Sequence, residues 1–165
     1  MRRRTRGNMV LEAALWIPVM VLLVVGTIQF GKISYTYFSL RKAVFSAARY
    51  LAVQQGTNFC DLADDVNAQN ALSFAVNDPN SGSPLISGLT TDMLVIGTEC
   101  IDPVSGAVGA CNISGCGASI GSQRPDYIVV GIPGGFNVTP RIPGVTLPTI
   151  ALRPSVTVTF GGSSL

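Results

Sequence analysis

The chain has no histidine among its 165 residues, and only 12% of them carry charge. The first absence excludes Ser-His-Asp and Cys-His catalytic sets, and imidazole-ligated metal centres, from anything this chain builds by itself. The second is about half the usual ~25%. With 47% apolar residues and a mean hydropathy of +0.43, it argues against a freely soluble cytosolic enzyme. The length suits about one domain. A formal net charge of +2 hides an asymmetry, because Arg2, Arg3, Arg4 and Arg6 all fall in the first six positions. Setting those four aside leaves 7 basic residues against 9 acidic ones, a net of −2 for the body.

What the chain does have is an uncharged run of 19 residues, Ala13 to Gly31, between Glu12 and Lys32. As a helix it would cover roughly 28 Å, close to the ~30 Å of a bilayer's hydrocarbon. We read it as one membrane span. The arginines lie on its N-terminal side, so the positive-inside rule places the N-terminus in the cytoplasm and the chain beyond about Gly31 outside. A cleaved secretory signal fits less well, since the run exceeds the usual ~7 to 15 residues and no small-x-small site followed by polar chain ends it. Instead Ile33, Tyr37, Leu40, Val44, Ala48 and Leu51 recur at helical spacing, with Lys32, Ser39, Lys42, Ser46 and Arg49 on other faces. One helix is expected from Asn8 to Gln55, stopped by Gly56, with Pro18 kinking or opening it opposite the Ala14 carbonyl.

Beyond Gly56 a short helix is expected from Asp61 to Asn77, with Asp61 as its cap and Asp64 and Asp65 in its first turn. Asp78 to Asp92 reads as loop, and Met93–Cys100, Asp126–Ile132 and Pro154–Phe160 read as strands rich in Val, Ile and Thr. The economical fold is α+β: a long N-terminal helix, its first half transmembrane, packed on an antiparallel sheet of three or four strands. Four parts follow: a basic leader at 1–7, a membrane half-helix at 8–31, its amphipathic continuation at 32–56, and an extracytoplasmic head at 57–165.

Glu12 stands at the threshold of the span, where an unpartnered carboxylate drawn into lipid costs a few kcal/mol. It can rest among headgroups beside water or Arg6. Alternatively, cleavage after Gly7 would create an α-amino group at Asn8, one helical turn from Glu12 and able to meet the Glu12 of a neighbouring subunit as a desolvated, charge-assisted pair.

Gly7 followed by Asn-Met-Val-Leu-Glu and a long apolar helix resembles the prepilin-peptidase site of type IV pilin-like proteins, in which the cut follows the Gly and Glu lies five residues past it. The whole N-terminal third is similar to the TadE-like minor pilins, or pseudopilins, of tight-adherence systems. The matching residues are Gly7, Glu12, Pro18, Phe30, Gly31, Lys32, Ala48, Arg49 and Tyr50. Where that family has an aromatic residue directly after the Glu, this chain has Ala13. The resemblance implies a structural subunit with a type IV pilin-like fold, processed at Gly7 and Asn8 and assembled through Glu12 and the helix bearing Pro18. Its partners would be a prepilin peptidase, other pilins, the inner-membrane assembly machinery and the lipid bilayer. The subunit would enter a pilus or stay in the membrane as a scaffold, and the rival class is a single-pass anchored enzyme or binding module.

Cys60, Cys100, Cys111 and Cys116 all fall on the exported side, where disulfides form, and their spacing lacks the paired C-x2-C knuckles of a zinc ribbon. The favoured pairs are Cys60 with Cys100 and Cys111 with Cys116, while Cys60 with Cys111 or with Cys116 stays open. Catalytic sets are scarce. Adjacent Asp64 and Asp65 point about 100° apart on a helix and cannot face one another. The Gly-rich stretches 115–121 and 131–135 lack the Gly-Lys-Ser/Thr of a phosphate loop. Asp78, Asn80, Ser81 and Gly82 sketch a calcium loop without its closing carboxylate. Asn112 and Asn137 stand in short glycosylation-like triplets. Arg41, Lys42 and Arg49, mixed with Tyr35, Tyr37 and Phe38, read as a solvated and inter-subunit helix face, and the −2 body argues against nucleic acid. Arg49 is the cation of interest, expected as a helix-buried partner for Asp126 or Glu99. No cofactor or metal is expected.

Overall fold

A computed structural model describes residues 5–54, 56–78, 81–111, 124–142 and 145–161. The first helix, α1 (Thr5–Val53), runs for 49 residues, roughly 74 Å by its rise. It starts before the expected Asn8 and continues through Pro18, whose missing N–H leaves the Ala14 carbonyl without its donor. Its end is closed by backbone bonds: Gln54 N–H donates to Leu51 O at 3.2 Å, and Gly161 N–H, arriving from the far end of the chain, donates to Ala52 O at 3.1 Å. Gly56 then turns the chain away at φ +86, a left-handed value that favours glycine.

The second helix, α2 (Val66–Val76), begins four residues later than Asp61 would place it. Asp65 is the cap because both its oxygens find backbone donors: Ala68 N–H at 2.9 Å within the first turn, and Asn58 N–H at 2.8 Å on the connector from α1. Asp61 instead receives Asp64 N–H at 3.4 Å within the preceding turn.

The strands are β1 (Val95–Ile101), β2 (Val108–Ala110), β3 (Tyr127–Gly131), β4 (Phe136–Val138), β5 (Arg141–Ile142), β6 (Val145–Thr146), β7 (Ile150–Leu152) and β8 (Ser155–Thr159). The main sheet is antiparallel in the order β2-β1-β3-β8, which is the four-stranded form of the expected sheet. Two ribbons, β4–β7 and β5–β6, were not anticipated, since strands of two or three residues beside prolines carry little periodic signal. Alternation sorts the register: Ile96, Ile128, Val130, Val156 and Val158 face the helices, and Val95, Gly97, Val129 and Thr157 lie on the other side.

The core forms where α1 crosses this sheet. Leu40, Ala43, Val44, Ala47, Ala48, Leu51 and Ala52 are buried at spacings of three and four, the stripe expected from the sequence now sharpened to one face. Against it α2 turns Ala68, Ala71 and Ala75, so small side chains line both helices where they pack. Tyr50 packs on Phe74 with ring centroids 5.1 Å apart, and Phe59 meets Phe160 edge-on at the same separation. Thr57 Oγ1 is buried here without a hydrogen-bond partner.

The favoured cysteine pairing is wrong, because Cys100 is bonded to Cys111. The β1–β2 hairpin explains why. Cys100 lies opposite Gly109, and two residues on, on the same face, comes Cys111, whose N–H reaches Thr98 O at 3.3 Å. The two Cα atoms are 4.8 Å apart, within bridging range. The sequence left this hairpin hidden inside what reads as a Gly-rich connection. Cys60 is disulfide-bonded too, and Cys116 lies outside the described residues.

Two outcomes follow from this packing. Ala71→Leu, inserting three carbons between the helices, should lower stability by about 1 to 3 kcal/mol in denaturant unfolding, whereas the same change at exposed Ala63 should be near neutral. Non-reducing peptide mapping should recover Cys100 joined to Cys111, and a Cys60–Cys100 peptide would contradict the hairpin.

Candidate functional site: the exposed apolar helix

The largest chemical anomaly on this protein is the first half of α1. From Met9 to Val24 its apolar side chains stand open, Met9 at 76%, Leu15 at 73% and Leu23 at 62% exposure, and none of the most apolar stretch is buried by the rest of the chain. Burying each large aliphatic side chain is worth about 1.5 to 3 kcal/mol. A row of them demands either lipid or other apolar helices. The helix is long and apolar enough to cross a membrane once.

Its few polar groups are satisfied in ways suited to such surroundings. Thr27 Oγ1 donates to Leu23 O at 2.8 Å, back along its own helix. Gln29 Nε2 donates to Arg141 O on β5 at 2.6 Å, tying the helix to the β5–β6 ribbon. Val25, Gly26, Gln29 and Ile33 are half-buried along that side. This contact was missed from sequence. The available signal was Gln29 itself, the one side-chain amide in the uncharged run.

Glu12 is the exception. It is exposed, and among the described residues its carboxylate has neither a hydrogen-bond nor an ion-pair partner. Asn8 lies one turn below it on α1, and the Gly7–Asn8 peptide lies within the described helix, Thr5–Val53. Above the apolar stretch, Tyr35, Phe38 and Phe45 are exposed at 76%, 66% and 44% on the side of α1 turned away from the core. Arg41, Lys42 and Arg49 are exposed as well. Arg49 is thus not the buried cation considered for Asp126, whose carboxylate instead accepts the Ile101 N–H at 2.6 Å.

The head offers less chemistry. A cleft of about 490 Å³ lies beside the disulfide hairpin, lined by Cys100, Asp102, Arg124 and Asp126 among others. The N–H groups of Ser105 and Val104 hold the Asp102 carboxyl below the usual aspartate range, and those bonds, at 2.9 and 2.7 Å, serve to close the β1–β2 turn. Asp78 likewise closes its own loop, accepting from Ser81 Oγ at 2.9 Å, with Asn80 outside the described residues. No group of His, Cys, Asp and Glu among the described residues is arranged to hold a metal ion. Asp64 and Asp65 are separated in role, Asp65 capping α2. The stretch 115–121 and Asn112 lie outside the described residues, and Asn137 sits exposed in β4.

Residues 7–49 match the family model described as TadE-like protein. No curated protein and no solved structure matches the chain. The matched segment begins at the Gly of the candidate cleavage site, contains Glu12, Pro18 and the entire exposed apolar stretch, and ends inside the stripe that forms the core. Over residues 7–49 the chain is similar to the TadE-like protein family.

Proposed function

We propose that this protein is a minor pilin or pseudopilin, cut after Gly7 by a prepilin peptidase and assembled through α1 into, or at the tip of, a tight-adherence pilus that it helps to build and to make adhesive. The observation that carries the reading is the open apolar half of α1, with Glu12 exposed near its N-terminal end and without a partner among the described residues. In the bilayer, lipid covers that half. In a filament, the same surface packs against the helices of other pilins, so leaving the membrane does not expose it to water. Glu12 then meets the new α-amino group of an adjacent Asn8, and the pair removes two isolated charges from an apolar bundle.

The same reading assigns the chain's parts. Residues 1–7 are a leader that holds the N-terminus in the cytoplasm by its arginines, 8–31 the membrane half-helix, 32–56 its continuation, and 57–165 a head outside, where the Cys100–Cys111 bond is stable. The scissile bond suits processing. It lies near the N-terminal end of the described helix, where Gly7 weakens the helix by about 1 kcal/mol relative to Ala. Cleavage requires the helix to open locally at Gly7. Pro18 supplies a second soft point where α1 opens as it leaves lipid for the filament.

Glu12→Ala should leave membrane insertion and the Asn8 N-terminus unchanged, both read by fractionation and mass spectrometry. The amount of this subunit in sheared filaments should fall at least about tenfold, as expected for losing one desolvated charge pair. Filament incorporation equal to the unaltered protein would refute the assembly role. An intact Met1 in the native protein would refute processing and favour a plain anchor. Native protein found only in membranes, with piliation dependent on it, would assign it to a retained scaffold instead.

A further inference from the structure

Gln29 and the β5–β6 ribbon occupy a position that the pilin reading leaves without a role. Twenty residues separate Met9 from Gln29, which is roughly 30 Å of helix and a full hydrocarbon thickness. Over that length the large apolar side chains other than half-buried Val25 are open: Val21 is 55%, Val24 59% and Ile28 53% exposed. At Gln29 the ribbon meets the helix, its Arg141 carbonyl holding the Gln29 amide, with the Arg141 side chain exposed. Lys32 follows about 4.5 Å further along the axis, also exposed, the first cation after Arg6.

Two physical limits fix where this ribbon can stand. It cannot sink into hydrocarbon, because a two-stranded ribbon has open edges whose backbone groups would lose water, and Arg141 would be desolvated with it. Nor can it stand far above the membrane, because Val21, Val24 and Ile28 would then be left in water. Between the two lies the headgroup layer.

We propose that the β5–β6 ribbon is a foot resting in the outer phospholipid headgroup layer, where Arg141, together with Lys32 on α1, binds lipid phosphate and sets the depth to which α1 is inserted. This rests on the membrane reading above and adds a level to it: the outer boundary falls at Gln29, not Gly31, which puts Glu12, 17 residues down the helix, about 25 Å below and just inside the opposite edge of the hydrocarbon. The carboxylate is thereby held inside the hydrocarbon edge, where lack of a partner carries a cost, and its capture of a neighbouring Asn8 amino group is favoured.

The test uses the full chain in vesicles of phosphatidylethanolamine and phosphatidylglycerol. Trp16 is the only tryptophan and reports the span; its fluorescence should be quenched by lipids brominated deep in their acyl chains. In a Trp16→Phe background, Thr146→Trp places the probe opposite Arg141 in the ribbon register. It should be quenched by a nitroxide on the headgroup and not by deep bromines, and Leu147→Trp provides a second site should the first disturb the ribbon. Adding Arg141→Glu should cut headgroup quenching by about twofold or more, with Arg141→Lys retaining it. A quenched Trp16 with both ribbon probes blind to the headgroup label would overturn the foot and leave the span standing. An unquenched Trp16 would overturn the span and the foot with it. Headgroup quenching indifferent to Arg141→Glu would overturn the phosphate contact.

Discussion

One helix has to be soluble in two media, and every other feature answers to that. The first half of α1 exposes its apolar side chains and the second half hides them, though the backbone is continuous from Thr5 to Val53. The change comes from the width of the apolar stripe. Up to Ile28 nearly every residue is apolar, so no face is suited to water. From Lys32 onward charges and hydroxyls take the outer faces and narrow the stripe to Leu40, Val44, Ala47, Ala48 and Leu51, which a small head can cover.

The head is built around that stripe. Alanines on both α1 and α2 allow close approach, the alternating faces of β1, β3 and β8 supply the opposite wall, and Gly161 returns after β8 to bond the last turn of α1 at Ala52. Sequence-distant ends are thus stitched together at the point where the helix stops. The disulfide across the β1–β2 hairpin holds the far edge of the sheet, where the inner face has few large side chains to contribute. On the proposed reading, in which the head stands outside the cell, such a brace stabilises it more than another polar network would.

The long helix, the three longer strands and the helix-on-sheet arrangement were legible in the sequence because each repeats its pattern often enough to be seen. The span and stripe of α1 show many turns of period, and β3 and β8 alternate over five residues. What escaped was local. Either Asp61 or Asp65 could cap a helix, and only the approach of Asn58 decides for Asp65. The three-residue β2 carries no alternation, so the Cys100–Cys111 pair was lost with it. Nothing near Gln29 in the sequence points to its acceptor, the Arg141 carbonyl 112 positions later. Glu12, by contrast, is conspicuous from sequence alone, since nothing else ionisable lies between Arg6 and Lys32.

The central claim is that α1 is divided between lipid and protein at about Gln29. A lipid-phase carbene reagent, photolysed in vesicles that carry the full chain and read by mass spectrometry residue by residue, tests it directly. The account predicts adducts on Met9 through Ile28 and none on Leu40, Val44, Ala48 or Leu51. Adducts running unbroken past Leu40, or an unlabelled Met9–Ile28 stretch, would contradict it.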